Sequence, residues 1–205
     1  MSDTGRFLRE FARDPLHTAA IAPSSPALAA AMTASLPDTG DPVVVELGPG
    51  TGAFTGAVQE RLGGRGRHVA IERHREWAGL LRRRFPRVDV VYADVATLPT
   101  VLADRGITSV DAVVSGLPWA AYAPGRGLHA MITDAMAPTG VFTQFAYSWT
   151  RWAPPAQRQL ADLRAHFGDV VTSPTVWRNL PPAVVHRARQ PLTRPPRGVI
   201  HPPPR

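Results

Sequence analysis

Glu46, Gly48, Gly50 and Gly52 stand together in "VVVELGPGTGAFT", where an apolar β-branched run ends in one carboxylate followed by three glycines in five residues. Glycines at such a turn let the backbone bend sharply and approach a ligand, and a helix that follows directs its free N–H groups toward it. Loops of this build bind nucleotides, and three ligand classes compete: a nucleoside triphosphate, a dinucleotide and S-adenosylmethionine. A triphosphate site calls for Gly-Lys-Ser/Thr at the end of the loop, whereas Gly52-Ala53-Phe54 stands here. The glycines fall as G-x-G-x-G rather than the dinucleotide spacing G-x-G-x-x-G. Glu46 would face a pyrophosphate unfavourably, but it suits a ligand that carries an ammonium and a sulfonium. S-Adenosylmethionine is therefore the expected ligand.

Two further acids have the same relation to an apolar run. Glu72 closes the second run, where a carboxylate can accept from both hydroxyls of a ribose, and Asp94 closes the third in "YADVATLP", within reach of an adenine amino group with Val95 against the ring. Each alone reads equally well as solvated turn chemistry. Acids at the carboxyl ends of three successive strands share the edge on which open α/β sheets bind ligands.

The elements that must position these residues follow from periodicity. Strands are predicted at 43–47, 68–72, 88–92, 111–115 and 141–147, with helices at 55–61, 75–85 and 127–136. Continuous apolar strands are buried on both faces, so the expectation is a doubly wound, Rossmann-like α/β fold with a mostly parallel seven-stranded sheet and helices on both faces. A helix at 156–167 and strands at 170–177 and 183–189 would finish it with an antiparallel C-terminal hairpin. Ahead of the sheet, Ser25 as N-cap and Pro26 at the first helical position predict a helix over 26–36. Residues 6–14, "RFLREFARD", form a short basic amphipathic pattern, either a cap on the domain or a lid that meets a membrane. The expected division is 1–40 as N-terminal helices, 41–190 as the sheet domain and 191–205 as a proline-rich tail.

Composition bounds the chemistry. The formal net charge of +7 comes from 23 basic residues, every one an arginine, which favours polyanionic partners such as phospholipid headgroups or nucleic acid, or else reflects codon bias. With no cysteine the chain has no disulfide, no Cys-based zinc site and no thiol nucleophile, and no metal site is expected. No apolar run approaches the roughly 20 residues of a spanning helix, so the expectation is a cytoplasmic protein, peripheral at most on the inner face of the membrane.

The ordered motifs "ELGPGTG", "IER" and "ADV" resemble those of the class I S-adenosylmethionine-dependent methyltransferases. The segment "FLREFARDPLHTAAIAPSSPALAAAM", the "SGLPW" at 115–119 and "VWRNLPPAVVHRAR" further resemble the bacterial phospholipid N-methyltransferases, which methylate phosphatidylethanolamine. The related ribosomal RNA adenine dimethyltransferases carry an Asn/Asp-led motif after strand four, where this chain has Ser115 and Gly116. The resemblance implies that Gly48, Gly50 and Gly52 meet the methionine end of the donor, with Glu46 near its amino group. It implies Glu72 at the ribose, Arg73 beside the adenine face, and Asp94 and Val95 flanking the adenine. Ser115 and Gly116 would line the path to the sulfonium, and Ser24 and Ser25 would close over the methionine carboxylate.

Methyl transfer from a sulfonium is an in-line displacement, so alignment and desolvation of the acceptor are the main demands. An amine acceptor must be neutral, which calls for a hydrogen-bond acceptor such as the Leu117 carbonyl or the Tyr122 hydroxyl. Trp119 could cage a methylated, cationic amine, or these aromatics are ordinary packing. Histidines 17 and 129 have a suitable pKa range and are assigned no role. The expected function is N-methylation of phosphatidylethanolamine or a similar amphiphilic amine. The alternatives are a methyltransferase for a small metabolite or an RNA adenine, and a non-catalytic module that binds the donor or a lipid.

Overall fold

The computed structural model describes residues 24–122 and 127–192. The amphipathic segment 6–14, His17 and the proline-rich tail lie outside the described residues, apart from Pro191 and Leu192. In chain order the elements are α1 (Pro26–Thr33), β1 (Val43–Leu47), α2 (Ala53–Leu62), β2 (Arg67–Glu72), α3 (Arg75–Arg84), β3 (Asp89–Tyr92), α4 (Leu98–Ala103), β4 (Val110–Ser115), α5 (Leu128–Ala135), β5 (Met136–Tyr147), α6 (Pro154–His166), β6 (Phe167–Thr172) and β7 (Ala183–Pro191). Short 3-10 turns occupy Val95–Thr97, Trp119–Tyr122 and Ser148–Thr150.

The strands form one seven-stranded sheet in the order β3-β2-β1-β4-β5-β7-β6. The first five pair in parallel and β7 runs antiparallel to both β5 and β6, so the expected doubly wound sheet and antiparallel finish are both present. The central strands are apolar throughout because both faces are covered. Val45, Leu47, Val113 and Phe142 pack beneath α4, α5 and α6, while Val44, Ala112, Val114 and Val141 pack under α1 and α2. Burying side chains such as Leu28 and Met32 of α1 stabilises by about 1.5–3 kcal/mol apiece, which holds this short helix on the sheet.

Local signals explain the helix ends. The Ser25 hydroxyl accepts from the Leu28 N–H at 3.1 Å and Pro26 opens α1. Gly52 (φ 90°) and Gly63 (φ 57°) hold the left-handed conformations that start and stop α2. Arg82, Arg83 and Arg84 place positive charge at the carboxyl end of α3.

Several boundaries differ from expectation. α4 falls where no helix was expected, and α2 starts two residues early. β5 begins at Met136 instead of residue 141, because the chain passes from α5 into the strand without a loop and absorbs "APTG" through an irregular register between Val110 and Ala112. β6 occupies Phe167–Thr172 rather than 170–177, since Ser173 and Pro174 end the pairing and Val176 keeps a single bridge to Ala183.

Candidate active site

The carboxyl ends of β1 to β4 converge on one edge. Beyond β1 the Gly48 N–H donates to the Ile71 carbonyl at 3.0 Å, and beyond β4 the Gly116 N–H donates to the Leu47 carbonyl at 2.8 Å. These bonds carry the loops past the last ladder pairs in fixed register. A side chain at Gly116 would place its Cβ 2.6 Å from the Gly48 carbonyl oxygen, and one at Gly48 (φ +66°) would place its Cβ 2.5 Å from Leu117 Cδ2. Glycine is required at Gly116 because it lies against the Gly48 backbone, and at Gly48 because of its left-handed φ.

Glu72 holds this loop. One carboxylate oxygen accepts from the Gly50 N–H at 2.9 Å and the other from the His74 N–H at 2.8 Å. An ionised carboxylate has about four lone-pair sites, so each oxygen keeps capacity for a hydroxyl donor. Arg73 follows it, exposed, and Asp94 lies exposed at the end of the third strand. The Asp94 carboxylate accepts from the Ala96 N–H at 2.9 Å, capping the 3-10 turn that Val95 begins.

Glu46 is fully buried beneath α2. Its Oε2 accepts from the Thr55 hydroxyl at 2.8 Å and lies 3.2 Å from His68 Nε2, while His68 Nδ1 bonds the Gln59 amide at 3.0 Å. Its Oε1 has no hydrogen-bond partner. A buried acceptor left open is costly, and a bound cationic group is one way to satisfy it. Thr55, Gln59 and His68 escaped the sequence reading, because only the fold brings α2 and β2 to Glu46.

The Ser115 side chain is buried beneath the loop it begins, accepting from the Tyr122 hydroxyl and from the Leu117 N–H at 3.3 Å. Burial pushes the Tyr122 phenol well above its ordinary pKa, against a smaller opposing effect of the Ser115 hydrogen bond, so it remains a proton donor. Its ring stacks on His129 at 4.5 Å between centroids. The expected acceptor-facing Tyr122 is thus a buried strut of the "SGLPW" loop. Trp119 lies in the adjoining turn, and its side chain lies outside the described residues.

Ser25 is committed to capping α1, and its own N–H donates to the buried Asn179 Oδ1 at 2.9 Å. Asn179, in the β6–β7 connection, also donates to the Pro181 carbonyl at 2.7 Å and so ties the start of α1 to this edge. Ser24 lines a cleft of about 830 Å³ between α1 and α2, alongside Thr51, Gly52, Glu60 and Arg84. The cleft thus reaches the glycine loop through Thr51 and Gly52, while Glu72, Asp94 and Ser115 do not line it.

His129, Asp162 and His166 bring three ligand-type atoms within 4.8 Å of one another. His129 Nδ1 donates to Asp162 Oδ2 at 2.5 Å, and His166 Nδ1 donates to the Asp162 backbone carbonyl at 2.8 Å. These contacts tie α5 to α6. Burial lowers the His129 pKa, outweighing the pull of Asp162.

A glycine loop on a seven-stranded sheet of this order, with acids at successive strand ends, fits S-adenosylmethionine. The fold recurs in solved methyltransferases. Human methyltransferase-like protein 13, in complex with SAH, matches at 16% identity and TM-score 0.60, covering 85% of this chain and 82% of that one. The precorrin-6y C5,15-methyltransferase of Geobacter metallireducens matches at 18% identity and TM-score 0.57, covering 80% and 87%. No family model matches the sequence. The molecule is a class I S-adenosylmethionine-dependent methyltransferase.

Its sequence is 37% identical over 194 residues to an ornithine lipid N-methyltransferase of Singulisphaera acidiphila, spanning 92% of this chain and 97% of the relative. The chain belongs to the family of that lipid N-methyltransferase.

Proposed function

We propose that the enzyme transfers the methyl group of S-adenosylmethionine to the amine of a membrane-lipid headgroup, with ornithine lipid and then phosphatidylethanolamine the first acceptors to test. The likeness to a lipid N-methyltransferase over nearly the full length of both chains carries this reading. The Ser115-Gly116 pair supports it, because the buried Ser115 leaves no amide or carboxylate there to receive an adenine amino group.

When bound, S-adenosylmethionine supplies an electrophilic methyl on a sulfonium. In this reading Gly48, Gly50 and Gly52 let the backbone close on the methionine end, and the open Glu46 oxygen offers its charge to the ammonium. Glu72 receives the ribose hydroxyls, Arg73 borders the adenine, and Asp94 with Val95 receives the ring. Ser24 and the backbone around Ser25 border the methionine carboxylate, since the Ser25 hydroxyl is spent on its helix. Gly116 and the Leu117 carbonyl face the acceptor, and Trp119 covers the amine. Ser115 and Tyr122 hold that loop in place and are positioning residues.

The test is transfer of labelled methyl to detergent-dispersed ornithine lipid or phosphatidylethanolamine, beside free ornithine and ribosomal RNA. Label in the lipid extract, lost in Glu72→Ala, is expected. Donor binding by calorimetry without label in either lipid would overturn the lipid reading, and label in RNA would replace it.

A further inference from the structure

Two connections rise side by side above the edge just described. The β5–α6 connection carries Trp149 and Trp152, and the β6–β7 connection carries Trp177 and Leu180. Tyr147 pairs with Ala183, Val176 bridges to Ala183, and the Ser148 N–H donates to the Pro182 carbonyl at 2.9 Å, so both connections spring from one corner of the sheet. Ser115 pairs with Gln144, and Tyr147 lies three residues further along β5, so the corner projects about 10 Å beyond the level of Ser115.

The side chains there run against ordinary burial. Trp177 is 78% exposed, Trp152 71%, Leu180 55% and Trp149 52%. Exposed apolar groups gathered on one face mark an interaction surface, whereas isolated ones do not. Each connection also joins a tryptophan to an exposed arginine: Arg151 Cζ lies 4.5 Å from the Trp152 ring centroid, and Arg178 follows Trp177. From 135 to 161, and again from 170 to 192, there is no aspartate or glutamate. Pro174, Pro181 and Pro182 stiffen the second connection, and Pro154 and Pro155 fix the exit of the first into α6, which lowers the entropy lost on docking.

We infer that this Trp–Arg corner is a membrane-docking surface that seats the donor-binding edge against an anionic lipid bilayer. Tryptophan combines an apolar ring with an indole N–H and settles at the headgroup level, while arginine meets lipid phosphates and keeps its stem among apolar groups. The complementary charge and the missing carboxylates single out an anionic bilayer as the occupant. The inference rests on the amino-lipid reading, since an acceptor held in a bilayer is what requires this edge to face one. With the corner seated, a headgroup amine could reach the loop at Gly116 and Leu117 while its acyl chains stay in the membrane.

The experiment uses the full chain and the variant Trp152→Ala/Trp177→Ala with vesicles of equimolar phosphatidylcholine and phosphatidylglycerol. Sedimentation and tryptophan emission report partitioning, and thermal melts and calorimetry with S-adenosylmethionine show that the variant is folded and binds donor. The expected result is vesicle binding by the wild type and a loss of about tenfold per tryptophan, the scale of burying one large apolar side chain, with donor affinity unchanged. Equal partitioning of both proteins, or no vesicle binding by the wild type, overturns the inference. Methyl transfer to detergent-dispersed amino lipid is measured in parallel. Transfer with Trp-independent vesicle binding sinks the docking surface and leaves the function standing. Trp-dependent binding without transfer to any amino lipid upholds the surface and sinks the function.

Discussion

Replacing Glu72 with glutamine keeps the side-chain shape and removes its charge. The carboxylate accepts two backbone bonds, from Gly50 at 2.9 Å and His74 at 2.8 Å, and hydrogen bonds to charged acceptors contribute about 1.5–3 kcal/mol each. Glutamine offers one carbonyl oxygen to two amides and turns its own NH2 against the other. One charge-assisted bond is lost and the second weakened, so stability should fall by about 2–3 kcal/mol. For a domain of this size each kcal/mol moves Tm by about 2–4 °C, which gives a drop of roughly 4–12 °C. If Glu72 receives the donor as proposed, the loop loses its anchor together with that charge, and the Kd for S-adenosylmethionine should rise about 30- to 100-fold, equivalent to about 2–2.7 kcal/mol. Calorimetric titration with S-adenosylmethionine and S-adenosylhomocysteine, paired with thermal melts, reads both effects. A fall in Tm with donor affinity unchanged within about twofold would refute the binding role and leave Glu72 as a loop anchor alone.

Thr55→Val removes the donor to the buried Glu46 carboxylate and should cost about 1–3 kcal/mol in chemical denaturation; a loss below about 0.5 kcal/mol would mean that Glu46 needs no such partner. Tyr122→Phe should lower stability by about 1 kcal/mol and reduce kcat while donor affinity holds, as befits a strut for the acceptor loop; an unchanged kcat would remove Tyr122 from the reaction. Burial, with Arg164 adding in the same direction, depresses the His186 pKa to about 4. The unfolded state then binds the extra proton between about pH 6.5 and 4, so stability falls with pH through that window, by about 2 kcal/mol between pH 7 and 5. Urea midpoints at the two pH values should show this slope, and His186→Asn should flatten it relative to wild type.

The sheet was legible because its strands are apolar on both faces and its turns are punctuated by glycine. What escaped was structure without punctuation. α5 runs into β5 at Met136 and α6 into β6 at Phe167 with no intervening loop, so periodicity alone could not place those boundaries. α4 is a single short segment whose Pro99 reads as a breaker, although proline is at home in the first turn. Within the site, Glu46, Glu72 and Asp94 stood out because each ends a strand. Their supports, Thr55 and His68 for Glu46 and Tyr122 for Ser115, depend on side chains brought together by folding and leave no spacing signature.

The bond from Ser25 to Asn179 spans 154 residues, and that from Arg187 to Ser35 spans 152. Closing loops of this length costs only about 4–5 kcal/mol through its logarithmic dependence on length, but it also fixes an order of events. β7 is inserted between β5 and β6, so the outer edge of β5 stays open until β7 has been made. A nascent chain halted before residue 183 has neither a covered β5 nor its β7 contacts to α1, and such long-range pairing slows folding. The methyltransferase domain is therefore completed only after β7 has left the ribosome, and removal of that strand should unseat a helix at the opposite end of the sequence.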